Sequence, residues 1–161
     1  NARPRQILPL KTPDLPLIVA YSGVKADTPT YVDHVAERLE RWPDAINGIF
    51  DAMAHIVKDA RCTLEDGDWQ RLGELMDIQH GLAHALGVDT DITARLVFAA
   101  RGAGAYGSKL SGAGGGDCVI ALAPEDRRTA IEGALVSAGG MIVRSAPHAP
   151  GVRVEDESAA P

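Results

Sequence analysis

The stretch Ser111-Gly112-Ala113-Gly114-Gly115-Gly116-Asp117 exchanges side chains for bare backbone, with four glycines in five positions. Each glycine costs about 0.5–1 kcal/mol against alanine in regular structure, so something must require the missing side chains. Successive glycines can take positive φ and turn consecutive N–H groups to one side, making a concave cradle for phosphate oxygens. A tight, crowded connection between two strands would demand the same composition. Composition alone leaves both readings open.

Two other phosphate motifs are nearly present and fail on context. Gly102-Ala103-Gly104-Ala105-Tyr106-Gly107 matches G-x-G-x-x-G, but it follows a helical pattern and leads into a strand, the reverse of a dinucleotide fingerprint. Read on through Ser108-Lys109, the same glycines approximate a P-loop with the lysine and hydroxyl in inverted order and no helix to open. His80 and His84 stand four apart on a helix, yet without a third ligand, or a glutamate directly after His80, they do not make a metal site. They read as surface or hydrogen-bonded helix residues. Gln79 falls seven residues after Leu72 on an apolar face, where a carboxamide must find partners. A structural hydrogen bond is the expectation there, with ligand contact as the alternative. Asp66 and Asp68 fit a solvated turn and a helix cap.

The elements that position these residues follow from spacing. Leu15 to Ser22 holds the apolar run Leu17-Ile18-Val19-Ala20-Tyr21 and ends at Gly23, a strand covered on at least one face. Thr28-Pro29 reads as a cap with proline at the first helical position, and Val32, Val35, Ala36 and Leu39 continue a helix that stops near Pro43. Ile46, Ile49, Phe50, Met53, Val57 and Ala60 mark a second helix. After Gly67-Asp68, a third carries Leu72, Leu75, Met76, Ala83 and Leu86 and ends at Gly87. Asp89-Thr90 caps a fourth, with Ile92, Leu96, Ala99, Ala100 and Ala103. Strands are then predicted over Tyr106 to Leu110 and Cys118 to Ala123, so the glycine loop joins two strands. A helix from Pro124 with Ile131 and Leu135, released at Gly139-Gly140, leads to a last strand, Met141 to Arg144. With the four helices taken as one layer, the order is β-α-β-β-α-β. The predicted fold class is α+β, a ferredoxin-like sandwich with an expanded helical layer on one face of a mostly antiparallel sheet.

At 161 residues and 45% hydrophobic content, the chain suits one core domain. The expected organisation is a proline-rich lead-in over 1–16, a domain over 17–146, and an extended, partly mobile tail over 147–161. The opening Asn1-Ala2-Arg3-Pro4 lacks a methionine and reads as a segment of something longer. A net charge of −6 offers no footprint for a nucleic acid backbone. No apolar run reaches the roughly 18–20 residues that cross a bilayer, so neither nucleic acid nor membrane is an expected partner, and the expected location is the cytoplasm. Cys62 and Cys118, the only cysteines, read as reduced thiols.

Lys109-Leu110-Ser111-Gly112-Ala113-Gly114-Gly115-Gly116-Asp117-Cys118 resembles the third, carboxyl-terminal signature of the GHMP kinases. Leu17 to Thr28 resembles that family's strand ending at a Gly-Val turn before a capped helix. Met76-Asp77-Ile78-Gln79-His80-Gly81-Leu82, followed by Leu86-Gly87-Val88, is similar to the pattern of the mevalonate kinases within the family. The ending Gly116-Asp117-Cys118 is more like the phosphomevalonate kinases, which stand as the alternative acceptor class, as do other GHMP kinases.

The resemblance implies transfer of the ATP γ-phosphoryl group, with magnesium, to the hydroxyl of mevalonate in a cleft between two halves, a step in isoprenoid precursor synthesis. It implies an amino-terminal GHMP kinase domain as partner and leaves room for a homodimer. The catalytic residues would lie in that other half, so none is expected here and the isolated chain is expected to be inactive. Ser111, Gly112, Ala113, Gly114, Gly115 and Gly116 would line the phosphate side of the cleft, and Ser22 and Thr28 could face the acceptor. The competing class is a non-catalytic ligand-binding module on the same ferredoxin-like fold. A second domain of about 150–200 residues upstream would separate the two.

Overall fold

The computed structural model describes residue 10 and residues 12–144. The tail expected over 147–161, and Pro4 and Pro9 of the lead-in, lie outside the described residues. Four strands, β1 (Leu17–Tyr21), β2 (Gly107–Ser111), β3 (Cys118–Leu122) and β4 (Met141–Val143), form one sheet in the order β2-β3-β1-β4. Every neighbouring pair is antiparallel. This is the strand order of a ferredoxin-like β-α-β-β-α-β unit, and the predicted α+β class stands.

The helices are α1 (Thr28–Arg41), α2 (Pro43–Asp66), α3 (Trp69–Ala85), α4 (Asp91–Gly102) and α5 (Arg128–Ser137), the last preceded by a 3-10 turn at Glu125–Arg127. They do not form one layer. The face of the sheet carrying Ile18, Ala20, Val119 and Ala121 meets Leu96, Val97 and Ala100 of α4 and Ile131 and Leu135 of α5, all of them buried. Full burial of each of the Ile, Leu and Val side chains contributes roughly 1.5–3 kcal/mol. In contrast, α3 lies along β2, α2 packs on α3, and α1 packs on α2. That stacking explains why the predicted apolar face of α2 is only partly used: Ile46 is buried, whereas Phe50 and Val57 are exposed.

α3 approaches β2 closely because two glycines meet. A Cβ on Gly107 would fall 2.0 Å from the Gly73 carbonyl oxygen, and one on Gly73 would fall 2.2 Å from that of Tyr106. Gly107 thus serves packing, consistent with rejecting its G-x-G-x-x-G match as a nucleotide site. The approach also closes an open sheet edge. Ser108 is fully buried on edge strand β2. Its N–H donates to Asp77 Oδ1 of α3 at 2.9 Å, and its carbonyl accepts from Arg101 of α4 at 2.8 Å. Arg101 Nε in turn pairs with Asp77 Oδ1 at 2.7 Å. The Asp77–Arg101 pair thus occupies backbone groups that would otherwise invite another strand.

Several helix ends behave as their residues dictate. Asp68 caps α3 by accepting from Arg71 N–H at 3.0 Å, and Thr90 caps α4 in a capping box with Thr93. Gly87 takes φ +77° just beyond α3. One predicted cap is corrected. Asp27, not Thr28, is the N-cap of α1, its carboxylate accepts from the Thr30 hydroxyl at 2.5 Å, and Thr28 is already helical.

Candidate functional site

Two loops meet at the end of the sheet where β1 runs out and β3 begins. The β1–α1 turn spans residues 22–27 and the glycine loop residues 112–117. Asp117 holds them together, in the left-handed region at φ +52°. Its carbonyl accepts from Ser22 N–H at 2.8 Å, and its N–H donates to the Val24 carbonyl at 2.8 Å. Its carboxylate accepts from Ala26 N–H at 3.3 Å and lies 3.6 Å from Lys25 Nζ. A short polar side chain tolerates this φ far better than a branched one. The two loops therefore form one wall.

The glycine loop divides into two parts. Gly114, Gly115 and Gly116 are buried. Added Cβ atoms would lie 2.2 Å from the Val88 carbonyl oxygen, 2.0 Å from the Tyr31 ring and 2.6 Å from the Val24 carbonyl oxygen, in that order. Gly115 N–H is already donated to the Val88 carbonyl at 2.9 Å. Here the crowded-connection reading holds: bare backbone lets the loop lie against α1, the end of α3 and the β1–α1 turn. Gly112 differs, being exposed at φ +97° with open space beyond it. The arc Ser111-Gly112-Ala113 keeps one hydroxyl and the N–H groups of Gly112 and Ala113 without a backbone partner among the described residues. Hydroxyl and N–H groups are the donors that an anion requires.

The other sequence candidates fall as follows. Ser22 is 5% exposed, and its hydroxyl closes onto the N–H and carbonyl of Val24 at 3.2 and 3.3 Å, so it shapes the turn. Thr28 is exposed on the first turn of α1. Gln79 is half-buried, and no hydrogen bond to it occurs among the described residues, so the structural bond expected for it is absent there. It instead lines a cavity of about 330 Å³ between α1, α3 and the glycine loop, together with Lys109 and Tyr31.

His80 and His84 converge on Asp89, whose side chain is 1% exposed, with Nε2 of His80 at 3.5 Å and Nδ1 of His84 at 3.1 Å. Asp89 also accepts from Thr90 N–H and the Thr93 hydroxyl, so the cluster ties α3 to the start of α4. Burial holds His80 below the ordinary histidine range; Asp89 pulls the other way, while Arg101 and His84 push further down. Burial, with Asp117 beside it, pushes the Cys118 thiol up, which makes it a poor nucleophile at neutral pH.

Sequence reasoning missed Tyr31 and Lys109. Tyr31 gave no signal, because its partner Gly115 is remote in sequence. Lys109 did give one, a lysine set between buried Ser108 and Leu110 in a strand.

Comparisons with known proteins bear on the sequence and the fold. The family described as GHMP kinases C terminal matches residues 60–140. The mevalonate kinase of Thermococcus sibiricus is 40% identical over 148 residues, covering 89% of this chain and 44% of that protein. That of Pyrococcus horikoshii is 41% identical over 155 residues, covering 93% and 46%. Among solved structures, L. major mevalonate kinase in complex with R-mevalonate superposes with a TM-score of 0.79 at 34% identity, over 84% of this chain and 43% of that one. The chain thus spans less than half the length of these relatives. On sequence and fold together, it belongs to the carboxyl-terminal domain family of the GHMP kinases.

Proposed function

We propose that the intact protein transfers the γ-phosphoryl group of ATP to a hydroxyl of mevalonate, this chain forming the carboxyl-terminal wall of the cleft and an amino-terminal GHMP kinase domain the rest. The observation that carries the reading is the roughly 40% identity to mevalonate kinases across nine-tenths of the chain. Phosphoryl transfer depends mainly on positioning and charge stabilisation. This chain's contribution is a rigid arc, Ser111 to Ala113, whose hydroxyl and N–H groups suit phosphate oxygens, with buried Gly114 to Gly116 holding that arc in place. Thr28, exposed at the start of α1 next to the joined β1–α1 turn, would face the acceptor, and Ser22 would act by shaping that turn.

Among the described residues no cluster of His, Cys, Asp or Glu could hold a metal, so magnesium would come with the nucleotide and side chains of the other half. No described helix is long and apolar enough to cross a membrane, and the proposed location is the cytoplasm. A homodimer would be read by light scattering on the intact protein.

The test compares the full-length protein and the 161-residue chain with ATP and either mevalonate or phosphomevalonate. The full-length protein is expected to show the higher kcat/KM for mevalonate, and the isolated chain no turnover. Preference for phosphomevalonate would move the assignment to the alternative acceptor class. Turnover by the isolated chain would overturn the division of labour.

A further inference from the structure

We propose that Asp89 is a positioning residue for phosphoryl transfer: through Val88, its neighbour in the chain, it fixes the buried half of the glycine loop and so the posture of the arc Ser111-Gly112-Ala113. The assignment rests on the phosphoryl-transfer reading of that arc and deepens it, by giving the support of the arc to a residue outside the loop.

Val88 is the seat of the loop. It is buried, and its carbonyl accepts from Gly115 N–H at 2.9 Å. A Cβ added to Gly114 would lie 2.2 Å from the Val88 carbonyl oxygen and 2.5 Å from the Val88 Cβ. Contact this close leaves no slack, so a shift of Val88 shifts the loop. Val88 belongs to the connection between α3 and α4, residues 86–90. From α1, Arg38 donates to the Ala85 carbonyl at 2.9 Å, just before that connection, and the His34 ring lies 2.7 Å from where a Cβ of Gly87 would stand. Beyond Val88 the connection is held by Asp89.

The Asp89 side chain is 1% exposed, and both of its oxygens are used. Oδ1 accepts from Thr90 N–H at 3.1 Å and from the Thr93 hydroxyl, at the start of α4. Oδ2 accepts from Nδ1 of His84 at 3.1 Å and lies 3.5 Å from Nε2 of His80, both on α3. Capping of α4 is complete without it. Thr90 N–H also donates to the Thr93 hydroxyl oxygen at 2.9 Å, and the Thr90 hydroxyl accepts from Thr93 N–H at 3.4 Å. What Asp89 adds is the tie across to α3, one residue from Val88. A buried carboxylate with donors on two helices is a stiff support, because moving it leaves charge uncompensated. A methyl group at Gly115 acts elsewhere: it presses on the Tyr31 ring and leaves this support in place.

The experiment measures hydrogen exchange by mass spectrometry, and steady-state kinetics, on the full-length protein and its Asp89→Ala, Asp89→Asn and His84→Ala variants. Thermal unfolding establishes that each is folded. Asp89→Ala is expected to speed exchange in peptides spanning the glycine loop at least about tenfold, with α5 exchanging as in the parent. Its KM for ATP should rise at least about tenfold while KM for mevalonate stays within about threefold, because Asp117 holds the acceptor side at the other end of the loop. Asp89→Asn keeps an oxygen for Thr90 and Thr93 and offers an NH₂ that His84 can accept from by changing tautomer, so it should recover most of both losses. His84→Ala removes only an exposed ring and should fold even where Asp89→Ala does not, with changes of about threefold in the same directions. The proposal is overturned by folded Asp89→Ala or His84→Ala protein whose loop exchanges as the parent's does, by faster loop exchange with an unchanged KM for ATP, by equal rises in both KM values, or by exchange that rises equally in α5. A parent protein without turnover on either acceptor would refute the phosphoryl-transfer reading instead, and the exchange measurement would still decide whether Asp89 holds the loop.

Discussion

Replacing Gly115 and Gly112 by alanine separates the two parts of the glycine loop. Both residues have positive φ, +81° and +97°, so either alanine incurs a left-handed penalty of about 1–2 kcal/mol. At Gly112 that is nearly the whole cost, because the new methyl group meets open space. At Gly115 the methyl group would lie 2.0 Å from the Tyr31 ring, and overpacking adds about 1–3 kcal/mol. Each kcal/mol lowers Tm by roughly 2–4 °C for a unit of this size. Thermal unfolding of Tyr31→Ala, Gly115→Ala and the double variant of the full-length protein completes a cycle. The expected coupling is about 1–3 kcal/mol, since removing the ring removes the clash. Kinetics should show the opposite ranking. Folded Gly115→Ala protein is expected to keep kcat/KM for ATP within about threefold, a change under ~0.7 kcal/mol, whereas Gly112→Ala, with its methyl group over the open donors, should lose more than about tenfold. A Gly115→Ala cost no greater than that of Gly112→Ala, or no coupling to Tyr31, would refute the steric reasoning. Unchanged kinetics in Gly112→Ala would refute the anion-site reading.

Three further outcomes follow from the geometry. His80 is held below its unfolded value by burial, so the unfolded chain binds the extra proton first. Stability from this group is therefore present above about pH 6.5 and lost as pH falls toward the folded value; Tm should decline below pH 6.5, and His80→Gln should flatten part of the decline. Asp77→Ala removes the acceptor for the buried Ser108 N–H and the partner of Arg101, so urea denaturation should show a loss of about 2–4 kcal/mol, with Asp77→Asn losing less because it keeps an oxygen for the N–H. Cys62 is exposed while Cys118 is half-buried with its thiol pushed up; iodoacetamide at pH 7 should label Cys62 well before Cys118, as read by peptide mass spectrometry.

The order of elements along the chain was legible because each segment announces itself locally. Apolar runs of strand length, Gly67, Gly87 and Gly139 at helix ends, and Thr90 at a cap all act within a few residues of their own position. The stacking of α1 on α2 and α2 on α3 was not legible, because helical spacing reports that a helix has an apolar face and not what covers it. Val57 matches the periodicity as well as Met53 does, yet Val57 is 61% exposed and Met53 packs against the core. The edge seal was hidden for a similar reason. Asp77 and Arg101 are 24 positions apart from each other on separate helices, and only the close approach of Gly73 to Gly107 brings both to Ser108.

The glycine loop shows why the site was harder to read than the fold. Composition could not choose between a phosphate cradle and a crowded connection because crowded glycines and an open arc stand in adjacent residues. What divides them is tertiary: Tyr31, Val88 and Val24 come from three other segments and fill the space beside Gly114, Gly115 and Gly116 but not beside Gly112. The crowded glycines would serve the open arc. A loop with N–H groups free to bind anions is entropically expensive to hold still, and the Gly115 bond to Val88 and the Asp117 bonds to Ser22 and Val24 hold it before any ligand arrives. Asp117 then has a reason to stand where a further glycine could have continued the run: glycine would satisfy φ +52° at lower strain, but it has no side-chain oxygen to accept from Ala26 and fix the β1–α1 turn to the loop.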